Sequence, residues 1–451
     1  MPSKRCLSTR APREQLAMNS TSETVLAAPT AGGWQRRYTL VALCVAASFV
    51  CYIDRVNISV AAITMQEQFG WSEKTKGLVL SSFFLGYMLF QVPSGWLANR
   101  IGGKFVLGFA VVWWSVFTML TPLAAALSLP VLLATRVAMG LGEAAMYPSA
   151  YNLFARWVPT AERSRALALL VSGIPLGTLV GLMSTGWIIK QWNWQSVFFI
   201  FGGLGIVWCV VWFLRAYNRP DQDPHMGATE LALLTAHAVD ADVPRERVDV
   251  PWAFLLSHPS VWALIINHFC SNWVLYMLLA WLPSYFHGAL HFDLVKAGLL
   301  SALPWLSMFL CGNLGGMVAD KMITSGVDLT WVRKIMQLTG LLGAAACMLS
   351  VQNVSTPMPA VALMCGALGF ISLTWSGFMP NHLEIAPRYA DVLMGMTNTA
   401  GTIPGVVGVY VTGWLVTSTG GYGAAFALCA AVEVLGAVVW LTWGTAKRIV
   451  D

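Results

Sequence analysis

The sequence predicts an all-α membrane protein with twelve transmembrane helices arranged as two six-helix halves. Hydrophobic residues make up 57% of the 451 residues and charged residues only 11%, whereas a soluble domain carries about 25% charged residues. Twelve stretches approach the roughly 20 apolar residues that a spanning helix needs. One long polar segment separates the first six stretches from the last six, which predicts two halves joined by a linker.

The candidate spans define the domain organisation. We expect a disordered cytoplasmic tail at 1–37, an N-terminal bundle at 38–216, a cytoplasmic linker at 217–258, a C-terminal bundle at 259–446 and a short cytoplasmic tail at 447–451. The predicted spans are 38–62, 76–98, 105–124, 129–152, 165–189, 196–216, 260–285, 295–318, 331–351, 357–380, 390–416 and 422–445.

The distribution of positive charge predicts the orientation of the chain. The net charge of +6 would by itself also suit a protein that binds nucleic acid. Of the 27 Lys and Arg residues, however, two lie inside spans, four lie in the loops of one side, and 21 lie in the tails and the loops of the other side. Loops rich in Lys and Arg stay in the cytoplasm. We therefore expect both termini to be cytoplasmic, the lipid bilayer to surround the chain, and no nucleic acid to bind.

Nothing in the sequence favours an enzyme or a metalloprotein. Eight of the nine cysteines lie within predicted spans, where a free cysteine packs as a small apolar residue. The spacing of the potential ligands is not typical of a metal site. Because no nucleophile–base set is recognisable either, we expect no enzymatic activity, no bound metal and no cofactor.

A short motif occurs once in each half. The stretch GWLANR at 95–100 follows the second span, and GMVADK at 316–321 follows the eighth, 221 positions later. This repeat indicates a duplicated six-helix unit, and in such transporters the substrate site lies between the halves near the bilayer midplane. Glycine allows close helix approach, and a basic residue can cap carbonyl groups at a helix end. We expect a gating role for the polar and glycine positions of the two copies: Gly95, Asn99, Arg100, Asp320 and Lys321.

Five charged residues lie inside stretches that otherwise suit hydrocarbon. Such a residue is costly there, so it usually lines a cavity, pairs with another charge or takes part in function. Arg55 suits a substrate carboxylate, because a guanidinium group binds a carboxylate through two parallel hydrogen bonds; a structural ion pair is the alternative. The other four are Asp54, Arg136, Glu143 and Glu433.

The spacing of these charges limits how they can interact. Asp54 is adjacent to Arg55 and points about 100° away around the helix, so the two side chains do not face one cavity equally. Asp54 is expected to be a proton site or gate partner, or else one member of a fixed ion pair. Arg136 and Glu143 are seven residues apart, about 10 Å along one helix face, which leaves Glu143 able to bind a proton or to pair with another helix. Glu433 has no assigned role.

Six motifs stand out along the chain: YIDRVN at 52–57, SFFLGY at 82–87, QVPSGW at 91–96, RVAMGLGEAAMYP at 136–148, NHLEIAPRYA at 381–390 and LMGMTNT at 393–399. Together they resemble the anion:cation symporters of the major facilitator superfamily. The resemblance covers about residues 38–445 and is specific for the family rather than for a substrate. The stretch formed by the last two motifs is similar to the branch that contains vesicular glutamate, sialic acid and plant phosphate carriers.

The resemblance implies the major facilitator superfamily fold, in which two pseudo-symmetric six-helix bundles rock around a central site. It implies an anionic cargo that is often driven by H⁺ or Na⁺, with sugar acids and other carboxylates common among bacterial relatives. It makes Glu143 a second coupling carboxylate beside Asp54, and it raises the expectation that Arg55 contacts substrate. Arg136 is expected to hold one of the two carboxylates in one state of the transport cycle.

Neutral polar side chains are expected to complete the site. Glutamate carriers of this family have arginine at the position of Ser271 and histidine at that of Leu80, and both departures argue against a dicarboxylate of that kind. Tyr87 and Gln91 lie four residues apart and share a helix face, although tyrosine is also common at membrane interfaces. The candidate neutral contacts, each with ordinary helix packing as the alternative, are Tyr52, Tyr87, Gln91, Asn272, Tyr276, Trp375, Ser376 and Asn398.

The sequence thus predicts a monomeric, proton-coupled symporter for a small organic anion, such as a sugar acid or another carboxylate. Two carboxylates near one arginine favour proton coupling, with Na⁺ as the alternative ion. An uncoupled facilitator or exchanger of the same fold, carrying phosphate or an amino-acid anion, is the main alternative, and a non-transporting membrane sensor is a weaker one. We expect the bacterial cytoplasmic membrane as its location, with an organellar membrane as the alternative.

Overall fold

The computed structural model describes residues 34–238, 250–354 and 356–450. Over these ranges the chain is helical, with no strand. The described chain contains twelve helical spans that are long and apolar enough to cross a membrane, two of them built from two helices each. This number confirms the predicted number of spans. Most of the tail that we expected to be disordered lies outside the described residues. We call the end of the molecule that carries both termini of the described chain the inner end, and the opposite end the outer end.

The first half contains six spans, and a break divides the fourth span into two helices. Its helices are α1 (Arg36–Phe69), α2 (Glu73–Ile101), α3 (Gly103–Leu127), α4 (Leu129–Glu143), α5 (Met146–Trp157), α6 (Thr160–Gln191) and α7 (Trp194–Arg215).

The second half repeats this order, with the break in its fourth span, the tenth of the chain. The linker before it holds α8 (Ala228–Ala238) and α9 (Trp252–Ser257), while residues 239–249 lie outside the described part. The remaining helices are α10 (Pro259–Gly288), α11 (Leu294–Thr324), α12 (Leu329–Val351), α13 (Pro357–Gly377), α14 (Asn381–Ile385), α15 (Ala390–Thr419) and α16 (Gly423–Trp443).

Several helices are longer than the apolar stretches that predicted them. The helix of the first span begins at Arg36 and continues to Phe69, whereas hydropathy alone predicted 38–62. Its start is fixed by Glu230 of α8, whose carboxylate accepts hydrogen bonds from the backbone N–H groups of Arg36 at 3.0 Å and Arg37 at 3.1 Å. A carboxylate at a helix N-terminus satisfies free donors and complements the helix dipole.

Polar caps keep the outer connections short. Ser72, Asn193 and Asp293 each accept a backbone hydrogen bond from the first turn of the following helix, at 3.2, 2.8 and 3.1 Å. Side-chain oxygens of this kind replace the missing intrahelical acceptors. Consecutive spans at this end are therefore joined by a few residues and pack as antiparallel neighbours.

The break in each half has the same chemical cause. Proline has no N–H group, so it leaves the carbonyl four residues earlier without its helical donor. Pro148 leaves the carbonyl of Ala144, which accepts from the Ser94 hydroxyl at 3.2 Å. Pro380 leaves the carbonyl of Ser376, which accepts from the Arg333 guanidinium at 2.8 Å. In each half, a polar side chain from a neighbouring helix thus binds the carbonyl group that the proline leaves free, and this stabilises the break.

The two halves meet closely at the outer end. A Cβ atom on Gly413 of α15 would lie 2.5 Å from the carbonyl oxygen of Glu73 in α2, and one on Gly298 of α11 would lie 2.6 Å from that of Leu182 in α6. The backbone N–H of Lys74 also donates to the Thr417 hydroxyl at 2.9 Å. Only glycine allows such backbone approaches. The structure is therefore closed at its outer end along the α2–α15 and α6–α11 contacts.

Candidate functional site

An ion pair between α1 and α4 forms the centre of the candidate site. Arg55 Nη2 and Nε donate to Glu143 Oε2 at 2.9 and 3.0 Å, and both side chains are almost fully buried. The Cys51 thiol donates to the same oxygen at 3.3 Å. Within the described part of the chain, Glu143 Oε1 has no hydrogen-bond partner. One carboxylate oxygen is thus saturated with donors, and the other can accept a proton.

Glycines bring α2 and α4 together behind this ion pair. A Cβ atom on Gly86 would overlap the carbonyl oxygen of Val137, and one on Gly140 would overlap that of Phe83. Both glycines lie in the family motifs, and the contact brings the aromatic face of α2 against the charged residues. A side chain at either position would force α2 and α4 apart.

An aromatic cage encloses the Arg55 guanidinium. Its central carbon lies 4.5 Å from the ring centre of Tyr52, 4.7 Å from that of Tyr87 and 5.1 Å from that of Phe83. Arg55 Nη1 also donates to the Tyr52 hydroxyl at 3.2 Å. Aromatic faces attract a cation, most strongly where water is excluded. The cage therefore keeps the guanidinium in place for whichever anion pairs with it.

Asp54 and Arg136 are also buried, but no ion pair joins them among the described residues. Neither oxygen of Asp54 has a hydrogen-bond partner among the described residues, although the Trp114 indole lies beside it. Arg136 Nη1 donates to the Met139 sulphur at 3.0 Å, and the Arg136 guanidinium carbon lies 5.4 Å from the centre of the Phe83 ring. Among the residues that the structure describes, Arg136 therefore holds no carboxylate in an ion pair.

The neutral candidates of the first half lie near Arg55, with Gln91 towards the inner end. Tyr52 and Tyr87 belong to the cage, and Gln91, one turn beyond Tyr87 on α2, is partly exposed. The ring of Tyr276 in α10 reaches towards this region from the second half, because it lies 4.7 Å from that of Phe84 in α2. Tyr276 is thus the C-terminal candidate that the structure brings next to the helix bearing the cage.

The other C-terminal candidates have mixed surroundings. Asn272 donates to the carbonyl of Gly401 at 2.8 Å, which ties α10 to α15. The backbone carbonyls of Ser376 and Asn398 accept from Arg333 and Thr402. Trp375 lines a cavity between α6 and α11. Asn272 therefore has a packing contact, whereas the side chains of Trp375 and Asn398 remain partly exposed.

The repeated motif has different contacts in its two copies. Asn99 accepts a hydrogen bond from Asn152 of α5 at 2.7 Å, and Arg100 stacks on the Trp96 ring at 5.2 Å. Asp320 is exposed, and no described residue forms an ion pair or hydrogen bond with its carboxylate. The first copy thus contacts its own half, while the second copy is open at the inner end.

Sequence reasoning missed several residues that the structure places in or beside the site. Cys51 and Phe83 touch the charged groups, yet each is an ordinary apolar helix residue by type. Their helical spacing carried a usable signal, because Cys51 lies four residues before Arg55, and Phe83 lies four before Tyr87. Arg333 and Glu384 form a further ion pair beside the break in the tenth span, where Arg333 Nε donates to Glu384 Oε1 at 2.9 Å. No group of three potential metal ligands occurs among the described residues.

The unassigned Glu433 lies apart from this cluster. It is fully buried in α16, and neither carboxylate oxygen has a hydrogen-bond partner in the described ranges. A Cβ atom on Gly436, one turn further, would lie 2.8 Å from Cβ of Cys270 in α10. Glu433 therefore belongs to a tight helix contact within the second half.

Comparison with known proteins places the chain in a family. Residues 44–409 match the family model described as Major Facilitator Superfamily. An ascorbate transporter of Arabidopsis thaliana chloroplasts is 43% identical over 422 residues, covering 93% of this chain and 77% of that protein. The chloroplastic sodium-dependent phosphate transport protein 1 of the same plant is 41% identical over 432 residues, covering 96% and 84%.

A solved structure shows the same fold. The crystal structure of a D-xylose–proton symporter superposes with a TM-score of 0.71 at 16% identity, covering 91% of this chain and 99% of that one. The resemblance to anion:cation symporters in the motifs is confirmed by the anion-transporting relatives, and the predicted fold is confirmed by the structural match. The chain therefore belongs to the major facilitator superfamily of membrane transporters and is not an enzyme.

Proposed function

We propose that the chain is a symporter that carries an organic anion together with protons by alternately opening its two ends. The observation that supports this most is the ion pair of Arg55 with Glu143. The guanidinium that an anionic substrate needs is occupied by a carboxylate of the protein itself. Substrate and Glu143 therefore compete for one positive charge.

Burial makes this competition strict. Leaving one member of a buried ion pair without its partner costs about 3–5 kcal/mol. The Glu143 carboxylate can leave Arg55 cheaply only if it becomes neutral and another anion replaces it. A proton on the open Oε1 atom neutralises Glu143, and a bound substrate carboxylate replaces it at Arg55. Each event makes the other more favourable, which is the thermodynamic linkage that a symporter needs.

Asp54 and Arg136 are two further buried charges in the same bundle. Asp54 lies within the electrostatic influence of both Arg136 and Glu143. We propose that Asp54 takes up a second proton and that Arg136 pairs with one of the carboxylates in another state of the cycle. A charge that changes partners between states gives those states different free energies, as alternating access requires.

The two moving bodies of this proposal are 38–216 and 259–446. Their closest approaches are the outer contacts of α2 with α15 and of α6 with α11. Rocking about these helix pairs would open the outer end and close the inner end. We propose that a single chain is the working unit, because the charged cluster lies within one chain; light scattering of the purified protein measures this.

The names of the relatives agree on an anion but not on its kind. One is named for ascorbate, an organic acid, and another for phosphate driven by sodium. Uncoupled exchange of phosphate or an amino-acid anion is therefore the second candidate function, and Na⁺ is the second candidate ion. The chloroplastic relatives favour an organellar membrane over the bacterial cytoplasmic membrane that we expected from the sequence. Imaging of a tagged chain in its own cells would decide between the two.

Transport by the purified protein in sealed vesicles tests the proposal. An imposed proton gradient should drive uptake of a hydroxylated carboxylate above its equilibrium level, and a protonophore should abolish that accumulation. A sodium gradient at constant pH is the matched control. Accumulation that follows sodium instead of protons, or equilibration without accumulation, would contradict proton coupling. A vesicle that takes up neither organic anions nor phosphate would contradict anion transport itself.

A further inference from the structure

Two adjacent tryptophans in α3 have different surroundings. The Trp113 indole donates to the carbonyl oxygen of Ala138 in α4 at 2.7 Å, which is an ordinary contact between neighbouring helices. Trp114 is fully buried, and its indole N–H has no acceptor among the described residues. A buried donor without an acceptor is costly, so packing alone does not account for an N–H group at this position.

The contact of α3 with α4 holds Trp114 next to the charged cluster. A Cβ atom on Gly142 would lie 2.7 Å from Cδ1 of Trp113 and 3.2 Å from the backbone nitrogen of Trp114. Because Gly142 immediately precedes Glu143, the backbone of Trp114 packs against the turn of α4 that carries this carboxylate. The indole of Trp114 lies beside the carboxylate of Asp54 in α1. α3 thus brings a neutral donor to a carboxylate of another helix.

The Asp54 carboxylate lacks a hydrogen-bond donor. Asp54 is fully buried, and neither of its oxygens accepts a hydrogen bond from a described residue. Of the two arginines nearby, Arg55 donates to Glu143, and Arg136 makes no hydrogen bond to Asp54 in the described part of the chain. Trp114 therefore places an N–H group that needs an acceptor beside a carboxylate that needs a donor.

The titratable and charged groups around Asp54 belong to α1 and α4. They are Arg136 and Glu143 of α4, with Cys51 and Arg55 on α1 itself. The other helices of the first half carry their charged residues within two turns of an end, away from the middle of α1 where Asp54 lies. α10, which packs on α1 from the second half, has no acidic residue, lysine or arginine. The protonation of Asp54 therefore depends on this small set of groups and on the indole donor.

We infer that Trp114 is a positioning residue for proton coupling, and that its indole N–H binds Asp54 after this carboxyl group has released its proton. The proton passes to water, and the indole keeps its own hydrogen. An indole N–H donates and cannot accept a hydrogen bond, and it binds a carboxylate about twice as strongly as a neutral group. Trp114 therefore favours the ionised form of Asp54 and makes release of the proton easier.

The inference rests on the proposed function, in which Asp54 carries the second proton. The carrier must release that proton before its next cycle, and a buried carboxylate without a donor would retain it. A donor from α3 removes this obstacle. Because the donor is neutral, it adds no positive charge that would compete with Arg55 for the substrate.

Trp114→Phe tests the inference, because it keeps an aromatic ring and removes the N–H group. The infrared absorption of the neutral Asp54 carboxyl group is measured against pH in the purified full-length protein, and its absence in Asp54→Asn identifies it. We expect the band of Trp114→Phe to persist to a pH about one to two units higher than in wild type, as for the loss of one hydrogen bond to a charged group.

Trp157→Phe is the matched control for this titration. Trp157 is also buried, its indole N–H has no acceptor in the described ranges, and it ends α5 at the inner end of the molecule. Its substitution removes the same atoms from the same bundle, but away from Asp54. The Asp54 band of Trp157→Phe should therefore disappear at the same pH as in wild type.

Transport in vesicles gives a second measurement. Ascorbate and inorganic phosphate are the probes, and a proton gradient drives their accumulation. In Trp114→Phe, uphill uptake should fall about tenfold, since one pH unit changes the ionised fraction about tenfold. Counterflow exchange should stay equal to that of wild type, because exchange does not require Asp54 to lose its proton.

A spectroscopic comparison keeps the inference testable if Trp114→Phe does not fold, which its melting temperature shows. Ultraviolet resonance Raman spectra report the hydrogen bonding of indole N–H groups. Raising the pH should strengthen the hydrogen bond of one indole in wild type and of none in Asp54→Asn. Equal spectra of the two proteins at every pH would overturn the inference.

The outcomes separate the inference from the proposed function. An Asp54 band that titrates equally in wild type and Trp114→Phe would overturn the inference and leave proton-coupled transport intact. The absence of this band from wild type at every pH would overturn it too. A wild type that accumulates neither probe under a proton gradient would overturn the proposed function, while the infrared titration would still decide whether the indole binds Asp54.

Discussion

Arg55 binds only one of the two carboxylate oxygens of Glu143. Nε and Nη2 of Arg55 both donate to Oε2, and Oε1 has no partner among the described residues. A bidentate pair would use both oxygens and would hold the guanidinium more firmly. The observed geometry instead leaves an acceptor open beside a buried positive charge. It makes Glu143 a partner that a proton can neutralise and a substrate carboxylate can replace.

Replacement of Arg55 by Lys should remove most of the substrate binding. The ammonium group is a compact point charge that cannot present the planar fork that a carboxylate accepts. The expected loss is about 1.5–3 kcal/mol, as for a hydrogen bond to a charged group. Titration of purified Arg55→Lys with the transported anion measures it, with Arg219→Lys on the surface as the matched control. An affinity equal to wild type would exclude Arg55 from the anion site.

Glu143→Gln and Asp54→Asn should each imitate a permanently protonated carrier. Exchange of substrate across the vesicle membrane should survive better than uphill uptake, because exchange avoids the return of the empty, deprotonated carrier. The two variants should differ in affinity. Glu143→Gln removes the competitor of the substrate for Arg55 and should bind more tightly. Among the described residues the Asp54 carboxylate has no hydrogen bond to Arg55, so its substitution should change affinity little.

Paired flux measurements check this prediction. Counterflow reports exchange, and accumulation under a proton gradient reports coupling. Glu433→Gln neutralises another fully buried carboxylate and serves as the control, which should still accumulate substrate. If both variants concentrate substrate as wild type does, neither carboxylate couples transport to protons.

The number and order of the spans could be predicted from the sequence, because apolar length is a local property. The cytoplasmic placement of both termini stays a prediction. The pairing of charges could not be predicted. Spacing showed that Arg136 and Glu143 cannot meet along one helix, but it did not show that Glu143 meets Arg55. That contact joins α1 to α4 across 88 residues of sequence, so it depends on how the helices of the bundle pack together.

Helix ends were predicted too short for a related reason. Partners such as Glu230, which accepts a hydrogen bond from the backbone N–H of Arg36, come from distant parts of the chain.

Gly413→Ala should prevent full closure of the outer end. The added Cβ atom would lie 2.5 Å from the carbonyl oxygen of Glu73, a backbone atom that cannot move without moving α2. The halves would separate there, so the equilibrium should shift towards the outward-open state. A reporter cysteine at Ser81, in a background without native cysteines, should react faster with a membrane-impermeant reagent from the outer side.

The matched control for this prediction is Gly288→Ala. Gly288 also lies at the outer end, and a Cβ atom there would meet nothing within 4 Å. Its labelling rate should equal that of the parent. Equal rates in Gly413→Ala and the parent would show that the contact of α2 with α15 tolerates a methyl group and does not control opening.

The repeated inner motif gives a prediction about its asymmetric position. Asn99 occupies the place in the first copy that Asp320 occupies in the second. Asn99 bonds to Asn152 of its own half, while Asp320 is exposed and has no described partner in this outer-closed structure.

If the carboxylate finds a partner when the inner end closes, Asp320 stabilises the outward-open state through charge, and Asn99 does not. Asp320→Asn should then shift the population towards the inward-open state, whereas Asn99→Asp should shift it the other way or change it little. Because the two states differ by only a few kcal/mol, one such contact has a measurable effect, and cysteine accessibility from each side reports it. Equal accessibility in Asp320→Asn and the parent would show that the motif here only connects two helices.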